Sequence, residues 1–176
     1  MRFDKTIIVG GTNLLYQIAD IAADCPQLGN IEIFECNENG MAKKRDERIV
    51  YKRMTDRREL MRALEAEGGR ALALSVMNPY ILLKEVVEKE NLFVMNLHHA
   101  LLPRHRGRNA EAWAIYEGDT KAGITWHRVN AGVDTGDIYL QKEVPITEKT
   151  TSLRLLTQLN QAALEGFREL LLKGFE

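Results

Sequence analysis

Apolar residues along this chain follow two rhythms. Some form short uninterrupted runs rich in branched side chains, and others return every three or four positions. Thr6–Val9 is a run of the first kind, closed by Gly10 and Gly11; a short, β-branched segment that is apolar apart from Thr6 reads as a strand covered on both faces. Leu14, Leu15, Ile18, Ile21 and Ala22 then recur at helical spacing, with Thr12 or Asn13 placed to cap the helix. The same two patterns predict strands at Ile31–Phe34, Arg48–Tyr51, Ala71–Val76 and Leu92–His98. They predict helices at Asp56–Ala66, capped by Asp56 with Leu60, Met61 and Leu64 inward, at Pro79–Glu88, opening on its proline, and at Ala110–Tyr116. Two extended segments close together, Gly123–Val129 and Ile138–Val144, suggest an antiparallel pair. A final amphipathic helix carries Leu156, Leu159, Ala163, Phe167 and Leu170 on its inner face. Strands alternating with helices predict an α/β fold: a mostly parallel, twisted sheet with helices on both faces and the antiparallel pair near one side.

Composition narrows the classes. With 176 residues, 45% of them hydrophobic, the chain is long enough for one well-buried domain, expected to run over 1–176. A formal net charge of −1 argues against a dedicated nucleic-acid binder. Its two cysteines, Cys25 and Cys36, make neither a disulfide framework nor a zinc pattern, so a reducing, cytoplasmic setting is expected. The apolar run near Met1 is too short for a signal peptide, and no stretch reaches the ~18 residues of a membrane span. No repeat, low-complexity tract or Pro/Gly/Ser-rich linker is present.

Two loops carry unusual chemistry, and both follow segments whose carboxyl ends are where open parallel sheets bind ligands. In the first, Asn96 and His98 stand two apart, so on a strand they share one face. A carboxamide beside an imidazole is a donor pair for a developing oxyanion. In the second, glycines 132 and 136 flank Asp134, so the backbone can fold tightly and present the carboxylate. A carboxylate near His98 would fix the ring and raise its pKa. Taken singly, each has another reading: a structural histidine, an aspartate that forms a turn, an asparagine that ends a strand.

Together the stretches Asn96-Leu-His-His-Ala-Leu-Leu-Pro-Arg-His-Arg-Gly107, Gly123-Ile-Thr125 and Val133-Asp134-Thr-Gly-Asp-Ile138 resemble the signature of the 10-formyltetrahydrofolate-dependent formyltransferases. That family includes glycinamide ribonucleotide formyltransferase, the catalytic domain of methionyl-tRNA formyltransferase, and sugar-nucleotide and peptide-synthetase-linked N-formyltransferases. The detailed similarity covers about Met77 to Ile146. The resemblance implies a Rossmann-like formyltransferase fold and 10-formyltetrahydrofolate as co-substrate, with no metal. It gives Asn96 and His98 the formyl carbonyl and tetrahedral intermediate, and Asp134 the charge on His98 and proton movement through water. It places the pterin against Tyr80, Ile81 and Leu82 and the loop Ala131, Gly132, Val133 and Asp134, largely through main-chain groups.

For the acceptor, the resemblance implies a primary amine on a small metabolite, such as an amino-sugar nucleotide, an amino acid or a carrier-bound amino acid. Gly11, Thr12 and Asn13 resemble the phosphate loop of the purine enzyme and open a helix, where backbone amides suit an anion. Arg104, Arg106 and Arg108 flank the Asn96–His98 segment and suit an anionic group, and Arg108 and Asn109 open the following helix, whose first turn is expected near the acceptor. The basic run Lys43, Lys44, Arg45, Arg48, Lys52, Arg53, Arg57 and Arg58 reads first as a solvated face, with capture of an anionic acceptor or folate tail as the alternative. His99 replaces the family's usual small or polar residue and is expected to pack against the sheet; Trp113 is expected in the core. The N-terminal half is shorter than expected for relatives that act on purine precursors. No segment follows Glu176 to match the C-terminal domain of relatives acting on initiator tRNA, so no nucleic-acid partner is expected, and no membrane partner either. A homodimer stays open. The alternative readings are a non-catalytic folate-binding or partner-dependent module, the glycinamide ribonucleotide enzyme itself, or a formyltetrahydrofolate hydrolase.

Overall fold

The computed structural model describes residues 1–36, 46–54 and 56–175. Its strands are β1 (Lys5–Gly10), β2 (Asn30–Glu35), β3 (Ile49–Arg53), β4 (Ala71–Val76), β5 (Leu92–His98), β6 (Lys121–Arg128) and β7 (Ile138–Pro145). The helices are α1 (Asn13–Ala23), α2 (Arg57–Ala66), α3 (Lys84–Val87), α4 (Ala110–Tyr116) and α5 (Ser152–Lys173), with a 3-10 turn at Pro26–Leu28. The strand order is β3-β2-β1-β4-β5-β6-β7, mostly parallel with an antiparallel pair at β6 and β7, as the alternation of patterns predicts. By packing, the chain divides into two compact units, Met1–Met95 and Asn96–Glu176.

In the first unit β1 is flanked by parallel partners, Lys5 to Gly10 registering with Asn30 to Glu35 of β2 and with Ala71 to Val76 of β4. Ile7 and Ile8 are fully buried, which is why this strand reads as an apolar run without alternation. Gly10 is needed for a close approach: a Cβ there would lie 1.9 Å from the Val76 carbonyl oxygen. Thr12 takes the N-cap position of α1 in extended geometry, without a side-chain cap bond. Asp56 does cap α2, accepting from the Arg58 N–H at 2.9 Å, and Leu60, Met61 and Leu64 face inward as their spacing predicts.

The helix expected over Pro79–Glu88 is only the four residues of α3. Asn78 accounts for the difference. Its Oδ1 accepts from the Tyr80 N–H and its Nδ2 donates to the Tyr80 carbonyl, both at 3.0 Å. A side chain that occupies the backbone groups of residue 80 competes with the helix that Pro79 would otherwise start. Of the basic run, Lys43, Lys44 and Arg45 lie outside the described residues. Arg48 bonds Asp24 and Asp46, Arg58 bonds Asp56, and Lys52 bonds Glu32, the arrangement of a face laced with ion pairs.

In the second unit β6 and β7 pair antiparallel with a bulge after Trp126: Trp126 registers with Leu140 and His127 with Ile138, leaving Tyr139 as the extra residue. Helix α5 begins at Thr151, whose hydroxyl accepts from the Arg154 N–H at 3.3 Å, and ends at Gly174 with φ 71°. Its buried stripe runs Leu155, Leu159, Ala163, Phe167, Leu170, so Leu155 and not the expected Leu156 anchors the first turn. Either leucine satisfies a three-or-four spacing, and the angle at which the helix meets the sheet selects between them. Trp113 is a second correction. It is 51% exposed and packs edge-to-face on Tyr116, on the outer side of α4 whose inner side is Ala110 and Ala114. Among the described residues no helix is long and apolar enough to cross a membrane.

Candidate active site

The catalytic candidates all belong to the second unit. Asn96 and His98 close β5, and Asp134 sits in the turn between β6 and β7. That turn is organised by Asn130, whose Oδ1 accepts from the Gly132 N–H at 3.0 Å and from the Thr135 hydroxyl at 2.8 Å. Asp134 itself has φ 50°, in the left-handed region, and Gly136 passes so near the Arg128 carbonyl that a Cβ would lie 1.8 Å from its oxygen. Backbone held in such sparsely populated regions is characteristic of sites where the direction of a side chain matters.

The structure brings the trio together and adds a fourth member. Asp134 Oδ2 lies 3.7 Å from His98 Nδ1 and accepts the Gly107 N–H at 2.8 Å. Its Oδ1 lies 3.5 Å from His127 Nε2. The Asn96 amide nitrogen stands 3.1 Å from the same His127 nitrogen. His127 Nδ1 meets the Arg128 carbonyl at 2.8 Å, so this nitrogen carries a proton and donates it. A neutral His127 then accepts the Asn96 N–H at Nε2, and a protonated one turns Nε2–H toward Asp134. On the other ring, His98 Nε2 lies 2.7 Å from the His105 carbonyl oxygen; a carbonyl only accepts, so Nε2 is protonated and Nδ1 is the nitrogen turned to the carboxylate.

Electrostatics suit these roles. Burial alone would raise the Asp134 pKa, but the hydrogen bond from His127, the Gly107 N–H and the charges of His98 and His127 outweigh it and hold the carboxyl below its ordinary value. An anion is therefore kept between two imidazoles. His99 is the opposite case. Burial, with the charge of His98 adding to it, pushes its pKa down to about 4, and neither ring nitrogen has a hydrogen-bond partner. It is a neutral residue packed into the interior, as expected for it.

Thr125 is a structural hub. Fully buried on β6, its hydroxyl donates to the Ala100 carbonyl at 2.6 Å and accepts from the Leu102 N–H at 3.1 Å and the Gln141 amide at 2.9 Å. It ties the segment that follows His98 to the β6–β7 pair.

Of the remaining expected residues in this unit, Ala131, Gly132 and Val133 are exposed on the turn that presents Asp134. Arg106, Arg108 and Asn109 are exposed ahead of α4, Asn109 at its N-cap with φ 58°. In the first unit Gly11, Thr12 and Asn13 form the turn into α1, while Tyr80, Ile81 and Leu82 lie in the non-helical segment between β4 and α3, with Ile81 74% exposed. His127 and Thr125 were not assigned roles from the sequence. The signal for both was the Thr-x-His spacing on β6, visible only as part of a motif.

A sequence profile described as "Formyl transferase" matches residues 30–171, and the chain belongs to that family. It is 38% identical over 104 residues to methionyl-tRNA formyltransferase of Sorangium cellulosum, a match covering 59% of this chain and 33% of that protein. It is 37% identical over 79 residues to GDP-perosamine N-formyltransferase of Brucella melitensis, covering 45% of this chain and 30% of the relative. The matches thus take in about a third of the length of these curated relatives. Among solved structures, phosphoribosylglycinamide formyltransferase from Brucella melitensis shares the fold with a TM-score of 0.78 at 20% identity, covering 99% of this chain and 96% of that one.

Proposed function

We propose that this chain transfers a formyl group from 10-formyltetrahydrofolate to a primary amine of a small metabolite, an amino-sugar nucleotide, an amino acid or a carrier-bound amino acid. The observation that carries the reading is the connected set Asn96–His127–Asp134–His98 around one part-buried carboxylate. In such a reaction the amine nitrogen bonds to the formyl carbon, the carbonyl becomes an oxyanion, and the bond to the folate nitrogen breaks. One proton leaves the amine and one reaches the departing nitrogen. The amine is already a nucleophile, so the barrier lies in separating charge.

The side chains match that barrier. Asn96 supplies an amide donor for the oxyanion. His98, with Nε2–H fixed on a carbonyl, has Nδ1 as its exchangeable position, turned toward Asp134. Through that nitrogen His98 can pass a proton during the transfer, and the Asp134–His127 side offers a route for protons. Exposed Arg106 and Arg108 support an acceptor with an anionic group. Tyr80–Leu82 and Ala131–Val133 are the folate contacts in this proposal, Gly11–Asn13 the acceptor contacts, and a cytoplasmic setting goes with it.

The test is formyl transfer from 10-formyltetrahydrofolate across a panel of these amines, with calorimetric binding of 5-formyltetrahydrofolate alongside. Turnover that is lost in His98→Ala and Asp134→Asn while the fold persists supports the reading. Folate binding without turnover on any amine indicates a binding module instead. Formate release independent of added amine indicates a hydrolase.

A further inference from the structure

His98 depends on a main-chain oxygen. Its Nε2–H is held by the carbonyl of His105 at 2.7 Å, so the direction of Nδ1 follows from where residue 105 places its backbone. That backbone is left-handed, with φ 51° at a residue that is not glycine, a conformation that histidine tolerates but does not prefer. Something must hold it there.

The side chain of His105 does so. Its Nε2 lies 2.7 Å from Asp119 Oδ2, and both side chains are largely buried. Asp119 is fixed in turn: its other oxygen accepts from Arg104 Nη2 at 2.7 Å, and its N–H donates to the Ala114 carbonyl of α4 at 2.9 Å. The bond from His105 is the largest of the causes that hold the Asp119 carboxyl below its ordinary value, so the acceptor is an anion throughout the neutral range. His105, Glu117 and Asp119 also bring potential ligand atoms within 4.8 Å of one another. The Arg104 guanidinium already holds Asp119, which marks an ion-pair cluster and not a cation site.

We propose that the Asp119–His105 pair is a positioning device for His98: it anchors the left-handed residue whose carbonyl fixes the His98 ring, and so sets which imidazole nitrogen faces Asp134. Neither residue touches the reacting atoms. The inference rests on His98 being the group that serves the formyl carbonyl, as proposed above.

The experiment uses full-length protein labelled with 15N-histidine. The chain has four histidines, so the imidazole resonances are few, and the His98 N–H signal is assigned by its absence in His98→Ala. Wild type is expected to show a His98 N–H protected from exchange with water. In His105→Ala and Asp119→Ala that signal is lost to exchange. On the proposed reaction kcat falls about 10- to 100-fold, the effect of a small misplacement, with KM for the folate donor within about twofold. In His105→Gln the side-chain amide nitrogen stands close to the position of Nε2 and can still donate to Asp119, so both the signal and kcat are retained. This variant also serves if an alanine variant fails to fold. A protected His98 N–H in folded His105→Ala overturns the proposal. A signal present in wild type and lost in both alanine variants, with no formyl transfer by the wild type to any amine, would leave the positioning intact and overturn the transfer reading, so the two failures are distinguishable.

Discussion

Gly107 donates its backbone N–H to Asp134 Oδ2 at 2.8 Å, across 27 residues of sequence. The two motif blocks are therefore joined directly, and the carboxylate is oriented by a main-chain group that no side-chain substitution removes. The same oxygen faces His98 Nδ1 at 3.7 Å. Asp134→Asn keeps the size of the side chain but removes the anion between the two imidazoles. Turnover is expected to fall by about 10²- to 10³-fold, the range for loss of a preorganised electrostatic group. Steady-state kinetics measures this, and a variant within about threefold of wild type would show that the carboxylate is not part of the machinery.

His99 predicts a pH effect on stability. Its folded pKa, about 4, lies below the ordinary histidine value, so between those two values the unfolded chain binds a proton that the folded chain refuses. Stability is then full above about pH 6.5, declines as pH falls toward about 4, and is not lost further through this residue below that. In His99→Leu the part of the decline due to this residue disappears, and at pH 5 the variant is the more stable by roughly 1–3 kcal/mol, because an unpaired buried polar ring has been replaced by an apolar side chain of similar size. Chemical denaturation at pH 5 and pH 7.5 reads this out, and an equal pH dependence in the two proteins would contradict it.

Acid titration bears on Asp134 from the other side. Its folded pKa is depressed, so its contribution is present above the ordinary carboxylate value and is lost as pH falls through the lowered one. Acid unfolding followed by circular dichroism is expected to show a shallower loss of stability in Asp134→Asn than in wild type below about pH 4. A superimposable acid limb would count against the hydrogen bonds assigned to this carboxylate.

Thr125→Val exchanges a hydroxyl for a methyl group at a fully buried position and leaves the Ala100 carbonyl, the Leu102 N–H and the Gln141 amide short of a partner. A loss of about 2–3 kcal/mol is expected, seen as a lower urea midpoint with unchanged slope. A midpoint equal to wild type would mean that those groups find other partners.

His127→Ala removes the ring that meets both Asn96 and Asp134. A fall in kcat of about 10- to 100-fold is expected from misplacement of both. His127→Gln can reproduce one nitrogen and recovers part of the loss. Single-turnover kinetics on the three proteins decides it, and equal rates in wild type and His127→Ala would remove His127 from the site.

The grouping of Asn96, His98 and Asp134 was legible because it follows from residue type at fixed spacing, on a strand end and in a glycine-flanked turn. His127 was not, because its place depends on pairing between strands. The bulge at Trp126/His127 sets it opposite Ile138, and a linear pattern does not encode a register. The same applies to Leu155 over Leu156, where two spacings are equally helical and tertiary packing chooses. The helix over Pro79–Glu88 failed for a local reason. Asn78 takes the backbone groups of residue 80, chemistry written in the sequence but weaker as a signal than the apolar rhythm beside it. Trp113 misled because size and hydrophobicity say where a residue gains most from burial, not which side of a short helix it occupies.

The two tryptophans of this chain differ as much as two indoles can. Trp126 is fully buried, 5.6 Å from the ring of Phe167 with its N–H on the Ala163 carbonyl of α5, whereas Trp113 is half in water beside Tyr116. The protein thus carries two intrinsic fluorophores of different colour, one sensing whether α5 is docked on the sheet and the other sensing the surface ahead of which Arg106 and Arg108 stand. A water-soluble quencher such as iodide would silence the second and leave the first. Unfolding of the C-terminal packing and events at the exposed helix can then be followed separately in one sample, without a label.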